Sequence, residues 1–148
     1  MSIALSLRLD LPPGTPPRTR PVTMTLDRPS ILVTDDDPVA RETFLEIFEP
    51  AGFRTLLAES GEEAIEIVRD EVVHLALMDM HLPKLSGLET ITILRQMRGV
   101  IPMILISADS DDNLLRKALS ANAFCVLAKP VSKNVVIYVV RRALEKYY

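Results

Sequence analysis

The sequence contains no tryptophan, and four Phe and three Tyr are the only aromatic residues among its 148. Because 48% of the residues are nevertheless hydrophobic, we expect a core packed from aliphatic side chains. The single cysteine, Cys125, excludes a disulfide within the chain and favours a reducing, cytoplasmic location. The length is that of one domain of ordinary size.

Long apolar runs and a strong net charge are lacking as well. No run approaches the roughly 18 apolar residues that a membrane-spanning helix needs, so no membrane contact is predicted. Arg8 and Asp10 interrupt the apolar residues near the start, and no basic segment precedes them, which is unlike a signal peptide. The formal net charge of -3 offers no basic footprint for direct nucleic-acid binding.

Residues 1–29 differ in composition from the rest of the chain. Six prolines lie between residues 12 and 29, which favours an extended linker over helix or sheet. Before them, apolar and polar residues alternate from residue 3 to 11, a strand pattern that could add to a sheet edge. We favour a disordered tail over this strand, and a natural start at Met24 is a third alternative. The sequence thus predicts an N-terminal Pro-rich extension, 1–29, and a domain over 30–148.

From residue 30 onward, strand patterns alternate with helical ones. The predicted strands are Ile31–Thr34, Thr55–Ala58, Val73–Met78, Met103–Ile106 and Phe124–Ala128. The first predicted helix begins at Pro38 and ends before Gly52, and the second begins at the capping-box pair Ser60 and Glu63 and continues to Val68. The other three predicted helices are Leu88–Arg95, Asp111–Ala121 and Ser132–Tyr147. Five strands alternating with five helices predict an α/β fold, a doubly wound parallel sheet covered on both faces.

Polar side chains follow four of the predicted strands. They are Asp35, Asp36 and Asp37 after the first strand, Asp79 after the third, Ser107 after the fourth and Lys129 after the fifth. In open parallel sheets the functional site lies outside the carboxyl ends of the strands. We therefore expect these side chains to converge on one site.

The residue types at this edge suit phosphoryl chemistry. Clustered carboxylates repel one another, so that one must bind a proton or the cluster must hold a cation. Ligands that are all oxygen favour Mg²⁺. An aspartate can attack phosphorus to give an acyl phosphate, and an ammonium and a hydroxyl would stabilise the charge that develops. Lys129 supplies the ammonium and Ser107 the hydroxyl.

Four segments resemble the receiver domains of two-component response regulators, in family order over residues 30–148. Ile31–Pro38 resembles the acidic opening of that family, and Met78–Gly87 resembles its phosphoacceptor turn. Ile106–Ala108 and Ala128–Pro130 resemble its hydroxyl and lysine motifs. The resemblance implies a flavodoxin-like sheet of strand order 2-1-3-4-5 and a role in phosphorelay signal transduction.

The resemblance also implies roles for individual residues. Asp79 would be the phosphoacceptor. Asp36 would bind Mg²⁺ directly and Asp35 would assist, while the backbone carbonyl of His81 would be a further ligand.

Ser107 would hydrogen-bond the phosphoryl group, and Lys129 would pair with one of its oxygens. The Lys129–Pro130 peptide would be cis, as is usual in the family. The phosphoryl donor would be a histidine kinase or a histidine phosphotransfer protein, and phosphorylation would switch binding to an unknown protein target or to a second copy. No enzymatic activity is expected beyond the chain's own phosphorylation and dephosphorylation.

The chain departs from the family pattern on its fifth strand. Val126 stands where the family usually has Tyr or Phe, which places the usual coupling to Ser107 in doubt. Period-two alternation puts Phe124 on the same face as Val126. Elsewhere, His81 and Asp109 occupy positions that tune dephosphorylation in receivers, and we expect them to set the lifetime of the phosphoryl group.

Two other readings compete with a phosphorylated receiver. A phosphatase of the haloacid dehalogenase type would use Asp35 as nucleophile and Asp37 as acid and base, but Glu145 is the only acidic residue after Lys129 to complete its metal site. A pseudo-receiver, which only binds partners, would lack one of the motif residues. The sequence as given predicts a stand-alone receiver, although it could also be the input part of a longer regulator.

Overall fold

The structure is a computed structural model, and it describes residues 28–108 and 112–148. Those residues form five strands and five helices that alternate along the chain: β1 (Ser30–Thr34), α1 (Pro38–Phe48), β2 (Arg54–Ala58), α2 (Gly61–Asp70), β3 (Leu75–Asp79), α3 (Gly87–Arg98), β4 (Met103–Ser107), α4 (Asp112–Ser120), β5 (Cys125–Ala128) and α5 (Lys133–Tyr147). All strand pairs are parallel, in the order β2-β1-β3-β4-β5. The predicted doubly wound, flavodoxin-like sheet is confirmed.

The three central strands are buried at every position. Their side chains alternate between two apolar layers, as the two-residue period of a strand requires. Leu32 and Leu105 point into the layer that includes side chains of α2 and α3. Ile31 and Ile104 point into the layer that includes side chains of α1 and α5. Helices cover both faces, which explains why these strands read as continuous apolar runs in the sequence.

Side chains cap the starts of several helices, and the capping box predicted at α2 differs from the prediction in one respect. The Asp37 carboxylate accepts a hydrogen bond from Val39 N at 3.0 Å and caps α1. Ser60 caps α2, but the Glu63 carboxylate accepts from the N–H of Glu59 at 2.9 Å. The predicted capping box is therefore incomplete, because the Glu63 side chain binds the N–H of the residue before the cap and not that of Ser60. A complete capping box, which was not predicted, joins Ser86 and Glu89 at the start of α3.

Phe124 and Val126 lie on opposite faces of the sheet, so the prediction that they share a face is wrong. The strand β5 begins at Cys125, and Phe124 precedes it. Its ring contacts Tyr147 of α5, with centroids 6.4 Å apart. Val126 packs in the layer that includes side chains of α2 and α3. Phe124 therefore does not take the place of the aromatic residue that the family has at position 126.

The predicted extension over residues 1–29 lies outside the described residues except for Arg28 and Pro29. Its strand pattern lies there as well, so that pattern and the predicted boundary at residue 30 stay predictions. Between residues 28 and 148, no described helix combines the length and the apolar character that crossing a membrane requires.

His74 joins the start of β1 to the last helix at the amino ends of the strands. Its Nδ1 atom accepts a hydrogen bond from Ser30 N at 2.9 Å. Its carbonyl accepts one from the Tyr148 hydroxyl at 2.9 Å, and the two rings meet edge to face. Because Nδ1 must be unprotonated to accept, this contact exists only with neutral His74.

The stability of the protein should fall between pH 7 and pH 5 because of His74. Burial lowers the pKa of His74 from its ordinary 6.5, so the unfolded chain binds the proton more readily than the folded one. The contribution of neutral His74 to the free energy of unfolding is fully present above pH 6.5. It is lost as the pH falls towards the pKa that His74 has in the folded protein. It amounts to about 1.4 kcal/mol for each unit by which folding lowers the pKa. Denaturant unfolding at several pH values measures it.

His81 provides the control, because His74 and His81 are the only two histidines in the chain. The difference in unfolding free energy between wild type and His74→Gln should shrink on acidification. The exposed His81→Gln, a histidine substitution away from the Ser30 contact, is measured in parallel at each pH. An equal pH dependence in wild type and His74→Gln would contradict the prediction.

Candidate functional site

Three carboxylates meet at the carboxyl ends of the two adjacent strands β1 and β3. Asp35 and Asp36 directly follow β1, and Asp79 is the last residue of β3. One carboxylate oxygen from each lies within 4.8 Å of the others. Asp35 and Asp79 are buried, with 2% and 4% of their surfaces exposed, whereas Asp36 is exposed to solvent. The predicted convergence of these carboxylates is present in the structure.

Backbone N–H groups hold one oxygen of each buried carboxylate. Asp35 Oδ1 accepts from Asp37 N, and Asp79 Oδ1 accepts from His81 N, each at 2.9 Å. The second oxygens face Lys129. Its Nζ donates to Asp79 Oδ2 at 2.9 Å and lies 3.8 Å from Asp35 Oδ2. The ammonium therefore sits between two buried carboxylates.

Burial and charge both act on the ionisation of this cluster. Burial raises the pKa of Asp35, and the charges of Asp79 and Asp36 raise it further. The Asp37 N–H and the Lys129 ammonium lower the pKa, but the net shift is upward. Burial lowers the pKa of Lys129, but the hydrogen bond to Asp79 and the aspartate charges outweigh it, so its pKa is raised. Lys129 is thus charged at neutral pH. Among the described residues, one ammonium contacts this cluster of three carboxylates. The cluster therefore has an excess of negative charge, which favours binding of a cation.

The register of the last two strands brings Ser107 beside Lys129. Ser107 is fully buried at the end of β4 and pairs in register with Ala128. The carbonyl of Ser107 accepts from Lys129 N at 2.9 Å. The Lys129–Pro130 peptide is cis, as predicted. The residues that carry the hydroxyl and the ammonium are therefore fixed to each other through the backbone.

The turn after Asp79 is held by a glycine whose role was not predicted. Gly87 N donates to the Met80 carbonyl at 3.1 Å and closes the turn. A Cβ atom at Gly87 would clash with the Asp79 carbonyl oxygen and would lie 2.9 Å from the Asp79 carbonyl carbon. The glycine was visible in the sequence only as the end of a turn, because its contact with the backbone depends on the packing of α3 against β3.

Arg41 also contacts the site and was not predicted. Its Nη1 donates to the carbonyl oxygen of Asp35 at 2.7 Å. Arg41 lies four residues after Asp37 on α1, and such a spacing alone does not distinguish a residue that supports a site from one on a solvated helix face.

The remaining predicted positions are placed as follows. His81 is exposed, and its N–H reaches Asp79, while the role of its carbonyl as a ligand stays a prediction. Asp109, the second position expected to set the phosphoryl lifetime, lies outside the described residues. Asp37, which was also expected at the site, is not part of the carboxylate cluster, because its carboxylate caps α1. Cys125 is half-buried, and burial raises its pKa to about 11, which makes its thiol unreactive at neutral pH.

The parallel sheet and the acidic cluster at its carboxyl edge define a flavodoxin-like α/β protein with its site at the usual edge of such sheets. The family model of the response regulator receiver domain matches residues 31–141. The chain belongs to this family and is a receiver domain of the two-component response regulator type.

Solved structures agree with the fold. The receiver domain of the Francisella response regulator 1452 is 26% identical, with a TM-score of 0.77 over 82% of this chain and all (100%) of that one. A CheY-like receiver domain protein from Methanospirillum hungatei JF-1 has a TM-score of 0.78 over 81% of this chain and 96% of the other. At 23% identity, the second structure supports the fold alone.

Curated relatives are longer proteins. Transcriptional activator protein ExaE of Pseudomonas putida is 37% identical over 116 residues, which are 77% of this chain and 54% of ExaE. Transcriptional regulatory protein ZraR of Escherichia coli (strain K12) is 31% identical over 122 residues, 82% of this chain and 27% of ZraR. The chain thus spans about half of the first relative and about a quarter of the second.

Proposed function

We propose that Asp79 accepts a phosphoryl group from a phosphohistidine of a histidine kinase or phosphotransfer protein, and that this reaction switches partner binding in the cytoplasm. The observation that carries the proposal is the position of the Asp79 carboxylate. It is buried beside Asp35, one of its oxygens is held by a backbone N–H, and the other is 2.9 Å from the Lys129 ammonium. A carboxylate oriented in this way is a nucleophile for phosphorus.

The residues present fit a Mg²⁺ ion. Their side-chain donors are all carboxylate oxygens, and burial together with mutual repulsion raises the pKa of Asp35, which a cation would offset. Asp35, Asp36 and Asp79 would hold the ion with the backbone carbonyl of His81. When bound, Mg²⁺ supplies positive charge next to the phosphoryl oxygens.

In the proposed transfer, an Asp79 carboxylate oxygen forms a bond to phosphorus while the bond from phosphorus to the donor's imidazole nitrogen breaks. The electron pair of that bond leaves with the imidazole. Lys129 pairs with a phosphoryl oxygen and offsets charge that develops in the transition state. The Ser107 hydroxyl donates a hydrogen bond to a second oxygen. Positioning and charge are the main contributions that a protein makes to such a reaction.

The modified Asp79 would change the populations of two conformations. Phosphorylation replaces the single charge of the Asp79 carboxylate by about two negative charges on the phosphoryl oxygens, and Ser107 and Lys129 bind the new oxygens. A coupling free energy of about 1–3 kcal/mol would change partner affinity roughly 5- to 150-fold. Because Val126 is not aromatic, we propose that the change reaches the partner surface without the inward turn of an aromatic side chain. A protein target or a second copy would bind there.

The first test is intact mass spectrometry after incubation with acetyl phosphate and Mg²⁺. We expect the wild type to gain one phosphoryl group, to gain none when Mg²⁺ is chelated, and Asp79→Asn to gain none. Asn keeps the size and the hydrogen-bonding oxygen of Asp79 but lacks the nucleophilic charge.

Each other outcome points elsewhere. No label on the wild type, under conditions that label another receiver, would favour a module that only binds partners. A label that persists in Asp79→Asn would point to Asp35 as nucleophile. Repeated turnover of a small phosphate ester would support the phosphatase reading and contradict the expectation that the chain catalyses only its own phosphorylation and dephosphorylation.

A further inference from the structure

We infer that Arg41 is a positioning residue for the metal-binding turn, an inference that rests on the proposed function. The Arg41 side chain is largely buried, with 17% of its surface exposed. Its Nη1 donates to the Asp35 carbonyl oxygen at 2.7 Å. That carbonyl belongs to the peptide that links Asp35 to Asp36. The guanidinium therefore holds the peptide plane between two of the proposed metal ligands.

The contact closes a short ring of hydrogen bonds around the acidic turn. Arg41 N donates to the Asp37 carbonyl in the first turn of α1. Asp37 N donates to the Asp35 carboxylate, and Asp35 N donates to the Ala58 carbonyl of β2. The Arg41 side chain then returns from α1 to the Asp35 carbonyl. The direction in which the exposed Asp36 carboxylate projects thus depends on a peptide whose carbonyl is held by Arg41.

The second interaction of Arg41 does not explain why the side chain is buried. Arg41 Nη2 lies 3.9 Å from a Glu59 carboxylate oxygen, and that glutamate side chain is 69% exposed. An exposed ion pair at this distance contributes little to stability. The partly buried hydrogen bond to the Asp35 carbonyl is the contact that is costly to lose, because it is charge-assisted and Arg41→Met would leave the carbonyl without this donor.

Positioning and charge predict effects of opposite sign on Mg²⁺ binding. Arg41→Met removes a positive charge near an acidic cluster, and by Coulomb's law this alone would tighten Mg²⁺ binding. Loss of the hydrogen bond leaves the turn free to reorient and would weaken it. Groups that orient metal ligands typically contribute 10- to 100-fold to affinity, so a net weakening of about 10-fold is expected.

Isothermal titration of the full chain with MgCl₂ tests the inference without any enzymatic reaction. Arg41→Met should bind Mg²⁺ about 10-fold more weakly than wild type. Arg41→Lys keeps the charge and an ammonium that can donate, but lacks the planar guanidinium, and should recover part of the loss. Labelling with acetyl phosphate should show the same change in the Mg²⁺ concentration at half-maximal rate, with a nearly unchanged rate at saturating Mg²⁺. Arg54→Met is the matched control, because Arg54 pairs with Glu71 at the opposite end of β2.

The outcomes separate this inference from the proposed function. A wild type that binds Mg²⁺ and an Arg41→Met variant that binds it equally or more tightly would overturn the role of Arg41 alone. A wild type that does not bind Mg²⁺ would overturn the proposed function and this inference with it. If Arg41→Met does not fold, as judged by circular dichroism, Arg41→Lys replaces it. Weaker Mg²⁺ binding by Arg41→Lys, in which the positive charge is kept, would support positioning by the guanidinium, and wild-type affinity would overturn it.

Discussion

Gly87→Ala should destabilise the protein by roughly 2 kcal/mol or more and slow the labelling of Asp79 by about 100-fold. The added Cβ would collide with the Asp79 carbonyl oxygen and press on the Met80 Cα at 2.9 Å. Both neighbours are backbone, so no rotamer change can relieve the clash and the turn must move. Because Asp79 lies in that backbone, its carboxylate moves with it. Denaturant unfolding and the labelling rate per folded molecule measure the two effects.

Gly61→Ala is the matched comparison, since Gly61 is also the first residue of a buried helix start. There the added Cβ meets the hydroxyl of Thr90, a side chain. We expect Gly61→Ala to cost less in a Thr90→Ala background than in the wild type, and labelling per folded molecule to stay near the wild-type rate. If Gly87→Ala labels as fast as Gly61→Ala, the Gly87 contact does not position Asp79.

Lys129→Met should lower the free energy of unfolding at pH 7 by about 1–3 kcal/mol when no divalent cation is present. The substitution leaves the buried carboxylates of Asp35 and Asp79 without the ammonium that contacts both. Removing one partner of a fully buried pair costs about 3–5 kcal/mol, and the 37% exposure of the Lys129 side chain reduces this through solvent screening. Urea unfolding in the presence of a chelator measures the loss.

The pH dependence of this loss has a definite sign. Burial raises the pKa of Asp35, and without Lys129 the pKa would rise further. A raised carboxyl pKa adds stability below the unfolded value, near 3.8, and that stability is lost as the pH rises through the folded pKa. The cost of Lys129→Met should therefore shrink as the pH falls from 7 towards 4.

Two variants control for this effect. Lys133→Met removes an exposed lysine at the start of α5 and should change stability by less than about 0.5 kcal/mol. Asp35→Asn combined with Lys129→Met should recover part of the loss, because one of the two unpaired charges is gone. A loss that is independent of pH would indicate that the methylene chain of Lys129, and not its charge, supports the site.

Most of the fold could be predicted from the sequence, because the central strands and the helix starts depend on local chemistry. The apolar runs of β1 and β4 follow directly from burial on both faces, and Asp37 before Pro38 indicates a helix start. The error at Phe124 has a different origin. A two-residue period applies only within a strand, and the exact start of β5 is set by pairing with β4, which a single strand's sequence does not contain.

The residues of the candidate site likewise fall into those that the sequence identifies and those that only the packing reveals. Asp79 and Lys129 could be found because their residue types and their places after strands identify them, and the structure brings their side chains together. Gly87 and Arg41 could not be found by that reasoning. Both act on carbonyl oxygens of the acidic loops, and a contact with a carbonyl depends on where two elements pack and not on a motif. Their importance is visible only in three dimensions.

The two buried aspartates of the site share one local geometry, in which the carboxylate of each accepts from the N–H two residues later in the chain. Such an Asx turn needs an amide proton and makes no demand on the side chain that follows. Every amino acid except proline can supply it at position 81. The orientation of the Asp79 carboxylate is therefore independent of which side chain residue 81 carries. Position 81 is therefore free to change, by evolution or by design, and to alter access to the site without changing the orientation of the Asp79 carboxylate.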